Sequence, residues 1–154
     1  MIKLTQEIWD KIIEINDYWN NNLHYRKDIN KHNKLDYWDS PNNIIKTMSG
    51  DCEEYALIKQ YYLSKESIPS DIAICKINKL SKVGHAVCVI DTDKGTFILD
   101  NRYYDVFTYE ESIKRGYIWY KRQNGKLWFT ILSFFSLFLL YQDASNDYQQ
   151  EQQD

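Results

Sequence analysis

His85-Ala86-Val87-Cys88-Val89-Ile90-Asp91-Thr92-Asp93-Lys94-Gly95-Thr96-Phe97-Ile98-Leu99-Asp100 consists of two apolar runs around a polar break that ends in glycine. The runs over 85–91 and 96–100 are rich in β-branched and aromatic residues. Asp91–Gly95 has turn chemistry, so the whole reads as a β-hairpin. Antiparallel partners are mirror-placed about a turn, and the midpoint between His85 and Asp100 falls inside this break. The hairpin is therefore expected to bring that imidazole and that carboxylate within hydrogen-bonding reach.

Working outward, Asp71–Ile77 is a further β-like run, and Val106–Phe107 begins another short element. Upstream the period changes. Ile8, Trp9, Ile12, Ile13, Ile15 and Trp19 recur at helical spacing, which predicts an amphipathic helix over 5–22. Residues 23–40 are polar without a period and read as a loop. Ser40-Pro41 opens a short helix through Met48. A helix over 52–64 follows, with Ala56, Leu57, Gln60 and Tyr61 carrying its period. Helices followed by an antiparallel meander make an α+β fold, N-terminal helices packed on an antiparallel sheet.

The composition narrows the function. The chain has 154 residues, the size of one ordinary domain, and its net charge of −3 does not suit a nucleic-acid binder. Cys52, Cys75 and Cys88 are an odd set without CxxC spacing, so neither a disulfide framework nor a zinc ribbon is expected.

Gly50-Asp51-Cys52-Glu53-Glu54-Tyr55-Ala56 is the segment richest in chemistry. Asp51 suits an N-cap and Glu54, three residues on, completes a capping box. Cys52 then takes the first helical position, where free N–H groups and the helix dipole favour a thiolate. Gly50 would let a substrate backbone approach. Taken alone, the segment is equally a well-capped helix start holding a small apolar residue. His85, opening an apolar strand, can serve as general base for a thiol, although a strand histidine by itself is more often structural.

A helix-borne Cys followed by His and Asp on adjacent strands resembles the transglutaminase-like cysteine peptidases, and specifically the bacterial LapG-like group. Asp36-Tyr37-Trp38-Asp39-Ser40-Pro41 resembles that group's DYWxTP element. Gly50–Ala56 resembles its GDCEDYA, His85-Ala86-Val87 its HAV, and Leu99-Asp100-Asn101 its LDN. The resemblance spans roughly residues 5–128, with Asn43 standing where the group usually has an acid after the proline and Glu54 where it usually has Asp. It implies a papain-like fold and a cysteine endopeptidase acting on a protein or peptide substrate. Cys52 would be the nucleophile, His85 the base and Asp100 the residue that orients the imidazole. Acyl transfer (transglutaminase or amidase chemistry) with the same triad, and a non-catalytic regulatory module, are the alternatives.

Asp51, Glu53 and Glu54 crowd Cys52 with negative charge, which disfavours a thiolate. The resemblance implies calcium here, held in part by Asp51 and Glu53, and carboxylates suit that ion. Simple helix capping is the competing explanation of the acids. Trp38 could donate its indole N–H near an oxyanion but more readily serves as a core aromatic. Cys75 and Cys88 are expected to be buried thiols, and His24 and His32 solvated.

The C-terminal part divides from the rest by composition. Residues 1–126 are expected to form the peptidase domain, with 127–140 a hydrophobic segment and 141–154 an acidic, disordered tail. The hydrophobic segment has no charge, but its 14 residues are fewer than the ~20 of a spanning helix. It reads either as a core helix or as a short membrane anchor, with Lys114, Arg115, Lys121, Arg122 and Lys126 on its N-terminal side. No secretory leader is recognisable at Met1, so a cytoplasmic domain is expected, tied to a membrane through 127–140 only if that segment is an anchor and not a core helix.

Overall fold

The computed structural model describes residues 1–27, 39–124 and 127–130. Thr5 caps α1 (Gln6–Asn22) by accepting from Ile8 N–H, and Ser40 caps α2 (Pro41–Thr47) by accepting from Asn43 N–H. Met48 then turns into the left-handed region and ends α2. Two short strands, β1 (His24–Tyr25) and β2 (Ser49–Gly50), pair in parallel, and α3 (Cys52–Lys65) begins directly after β2.

The remaining strands are β3 (Asp71–Lys76), β4 (His85–Thr92), β5 (Gly95–Leu99), β6 (Phe107–Thr108), β7 (Ile118–Asn124) and β8 (Leu127–Thr130). They form one antiparallel sheet in the order β6-β5-β4-β3-β7-β8, with α4 (Tyr109–Lys114) between β6 and β7. The expected α+β architecture is present.

The pleat of β4 divides the core. Ala86, Cys88 and Ile90 join Ile12 of α1 and Ala56 and Leu63 of α3 on one face. Val87 and Val89 join Ala73, Cys75, Ile98, Phe107 and Tyr117 on the other. Helix α3 is also covered laterally, by Trp19, Leu23 and Ile44 against Tyr55 and Ile58. Its buried residues are therefore Glu54, Tyr55, Ala56, Ile58, Lys59 and Leu63. The sequence period through Gln60 and Tyr61 picked out a half-covered flank, because a helix packed on two sides has no single apolar stripe.

Three further features differ from the sequence reading. The hairpin turn is tighter than expected, with Thr92 paired to Gly95 and Gly95 at φ 114°. β7 has no readable alternation, because a register shift between Ile74 and Cys75 interrupts its pairing with β3. The apolar run from Leu127 starts as strand β8, paired to β7, rather than as a helix, so the sheet extends past residue 126. The rest of that run and the acidic tail lie outside the described residues. Among the described residues, no helix is long and apolar enough to cross a membrane.

The basic cluster before that run is also partly spoken for. Arg122 is buried and binds Asp71 Oδ2 at 2.8 Å and the Asp91 carboxylate, while Arg115 pairs with Asp105 and Glu111. A buried guanidinium between two carboxylates stitches β7 to β3 and β4, and it is not a flanking surface charge.

Gly50 has a packing role. A Cβ there would lie 2.3 Å from Glu54 Cβ. Gly50→Ala is accordingly expected to lower stability by about 2 kcal/mol or more, read by chemical denaturation, because neither backbone can yield without breaking the cap.

Candidate active site

The site begins with the cap of α3. Asp51 Oδ1 accepts from Glu53 N–H at 3.1 Å, and Glu54 Oε2 accepts from Asp51 N–H at 2.8 Å, so the expected capping box is present. This holds Cys52 at the first helical position with its sulfur against β4, where Ala86 N–H donates to it. The thiol donates to Glu53 Oε2 at 3.3 Å. Burial raises the Cys52 pKa well above the usual thiol value, and the negative charges of Glu53 and Asp51 raise it further. The Ala86 N–H opposes both effects. Glu53 is itself pushed up to about 8 by burial and by the hydrogen bond and charge of Asp51. Ligand atoms of Asp51, Cys52 and Glu53 lie within 4.8 Å of one another.

The second half is the hairpin. His85 Nε2 meets Asp100 Oδ1 at 2.8 Å in a buried contact. The pairing register differs by two residues from the symmetric expectation, since Cys88 pairs with Leu99. An even shift preserves the face, so the contact forms diagonally rather than directly across. Asp100 is gripped from every side. Arg102 N–H donates to Oδ1 at 2.9 Å, and the Tyr117 hydroxyl donates to Oδ2. Asn20 Nδ2 of α1 donates to the Asp100 carbonyl at 3.0 Å and to the Tyr103 carbonyl at 3.1 Å. Burial alone would raise the Asp100 pKa, but the bonds from His85, Tyr117 and Arg102 outweigh it and hold the carboxyl below its ordinary value. Because Nε2 is engaged by Asp100, Nδ1 is the imidazole nitrogen left to face a thiol.

Each residue singled out from the sequence has a place, with exceptions outside the described region. Cys52 stands beside Asp51 and Glu53, with Ala86, the neighbour of His85, against its sulfur, and His85 stands with Asp100. Cys75 and Cys88 are buried as expected, with Cys75 Sγ donating to the His85 carbonyl at 3.6 Å. His24 is exposed. Trp38 and His32 lie outside the described residues. Asn43 donates to Asp39 Oδ1 at 3.0 Å, so an amide there satisfies a largely buried carboxylate that an acid would repel.

Sequence reasoning missed Tyr25, Tyr117, Asn20 and Lys59. β1–β2 pairing sets Tyr25 beside Gly50. Burial raises the Tyr25 pKa first, followed by the charges of Cys52, Asp51 and Glu53. Lys59 is fully buried, 5.9 Å from the Tyr55 ring centroid, and burial brings its pKa down to about 8 against the opposing pull of Asp100. None of these four stands in a chemical motif, and only the tertiary pairing brings them to the site.

A thiol on the first turn of a helix, laid against an antiparallel sheet that presents a His–Asp pair, is the layout of a transglutaminase-like cysteine peptidase. The chain belongs to the bacterial transglutaminase-like cysteine proteinases (BTLCP), whose family model matches residues 1–133. No curated protein matches the sequence. Among solved structures, calcium-bound LapG of Legionella pneumophila superposes with a TM-score of 0.68 at 22% identity, covering 80% of this chain and 69% of that one. The EGTA-treated form of LapG gives 0.68 at 22%, covering 80% and 67%. A candidate cysteine protease of Cytophaga hutchinsonii gives 0.57 at 18%, covering 75% and 36%. These likenesses carry the fold.

Cys52 is half-buried, whereas Cys75 and Cys88 are buried. A thiol-directed alkylating probe on the folded protein should modify Cys52 first, mapped by mass spectrometry. Equal and slow labelling of all three cysteines would contradict this geometry.

Proposed function

We propose that the protein is a cysteine endopeptidase acting on a protein substrate through Cys52, His85 and Asp100. The observation that carries the reading is the buried His85–Asp100 pair at 2.8 Å, with Ala86, the next residue along, touching the Cys52 sulfur. Asp100 holds the imidazole in one tautomer and supports its charge once it is protonated. His85 Nδ1 takes the thiol proton, and the Cys52 sulfur attacks the peptide carbonyl to form a tetrahedral oxyanion. With the neighbouring N–H groups bonded to the capping acids, the Cys52 backbone N–H is the donor that the start of α3 offers to that oxyanion. His85 returns the proton to the leaving amine, and water, deprotonated by His85, releases the acid. A primary amine in place of water would make this acyl transfer, so the products formed with and without added amine separate the two chemistries. Cys52→Ala and His85→Ala should each reduce turnover to background while thermal unfolding stays cooperative. Full activity in Cys52→Ala would end the proposal.

The acids beside Cys52 fit a calcium ion. Asp51 and Glu53 share one half-buried site, and Glu53 is driven toward its protonated form largely by burial and by Asp51, an arrangement that a divalent cation resolves better than a proton. Calcium-bound LapG supports the same reading, and we propose calcium as the cofactor, with Asp51 and Glu53 among its ligands. When bound, the ion supplies positive charge that offsets both carboxylates and favours the Cys52 thiolate. Calcium should raise the melting temperature of the metal-free protein in a concentration-dependent way. Excess chelator should abolish peptidase activity and added calcium restore it. Asp51→Asn with Glu53→Gln should lose the thermal shift, and unchanged melting with full activity in chelator would exclude the site.

A further inference from the structure

The connection from β3 to β4 is longer than the sheet needs. β3 ends at Lys76 and β4 begins at His85, leaving eight residues, 77–84, where a hairpin can close with about two. The extra length adds little to the core. Leu80 is 88% exposed and Val83 is 71% exposed. Lys79 and Lys82 are exposed between and beside them, and no acid occurs between Asp71 and Asp91. None of the ion pairs of the described residues engages either lysine. The loop is nevertheless shaped. Asn78 Oδ1 accepts from Leu80 N–H at 2.9 Å, Asn78 O accepts from Ser81 N–H at 3.2 Å, and Ser81 Oγ donates to the Val83 carbonyl at 3.1 Å. A shaped, basic loop with two bared apolar side chains that runs straight into His85 is built for contact with something else.

We propose that loop 77–84 is a docking surface for an acidic, apolar stretch of the protein substrate on the leaving-group side of the scissile bond. The proposal rests on the endopeptidase reading, because it is the chemistry of His85 that selects the side. The imidazole protonates the departing amine, so the portion of substrate that begins with this amine lies over His85 and the loop leading to it. Lys79 and Lys82 meet carboxylates there, and Leu80 and Val83 cover apolar side chains between them.

Docking and cleavage are read separately. Docking uses Cys52→Ala protein and two fluorescent peptides, Glu-Leu-Asp-Val-Glu and its neutral counterpart Gln-Leu-Asn-Val-Gln, followed by anisotropy. The acidic peptide should bind about tenfold tighter at about 0.05 M salt, with the difference largely gone at about 0.5 M. Adding Lys79→Gln and Lys82→Gln should erase the preference. Equal binding of the two peptides, or a preference that survives both substitutions, would overturn the surface. Cleavage uses the unmodified protein on a proteome-derived peptide library, with cut sites mapped by mass spectrometry. Acidic residues should be enriched after the scissile bond, and the doubly substituted protein should lose that enrichment. Enrichment before the bond would overturn the placement. Absence of any cutting, with the binding preference intact, would count against the peptidase reading and not against the surface.

Discussion

Two hydrogen bonds at the start of α3, from Glu53 N–H to Asp51 and from Asp51 N–H to Glu54, decide where the Cys52 half of the candidate site stands. Orphan donors at a helix start must be satisfied, and here acidic side chains satisfy them. Glu54 folds back into space that exists only because residue 50 has no Cβ. The same solution brings carboxylates to the one position that also carries the thiol. Cap stability and thiolate stability therefore pull against each other, since the acids that complement the helix dipole also oppose a negative sulfur. Under the proposed function, a divalent cation on Asp51 and Glu53 would offset that charge without dismantling the cap.

The other half is held by a different logic. Asp100 is fully buried and stays ionised because His85, Arg102 N–H and Tyr117 all donate to it. Helix α1 contributes no reactive group, yet Asn20 ties the carbonyls of Asp100 and Tyr103 and so fixes the turn that follows β5. Structure on both faces of the sheet thus converges on one carboxylate, with α1 gripping its backbone and Tyr117 of the opposite cluster its side chain. The imidazole inherits its orientation from that rigidity.

The hairpin contact was legible because it depends on parity as well as register. The pairing differs by two residues from the symmetric estimate, and an even difference leaves His85 and Asp100 on the same face. The capping box was legible because it is local, four residues that recognise one another. Strand β7 was not, since the break in its pairing with β3 hides the alternation, and the buried side chain among its described positions is Arg122, which no hydropathy pattern would place inside. The start of the apolar run at Leu127 read as a helix from uniform hydrophobicity, and only its pairing with β7 makes it a strand.

The amino-acid sequence by itself determined the α+β order of elements, the capped helix start carrying Cys52, and the hairpin that joins His85 to Asp100. Each of these depends on residues near one another along the chain, where spacing and turn chemistry suffice. Tertiary structure alone decided that Tyr117 and Asn20 hold Asp100, that Lys59 is buried, and that Ala86 meets the Cys52 sulfur. Those contacts join residues far apart in the chain, and their partners are chosen by packing and register, which no local pattern encodes.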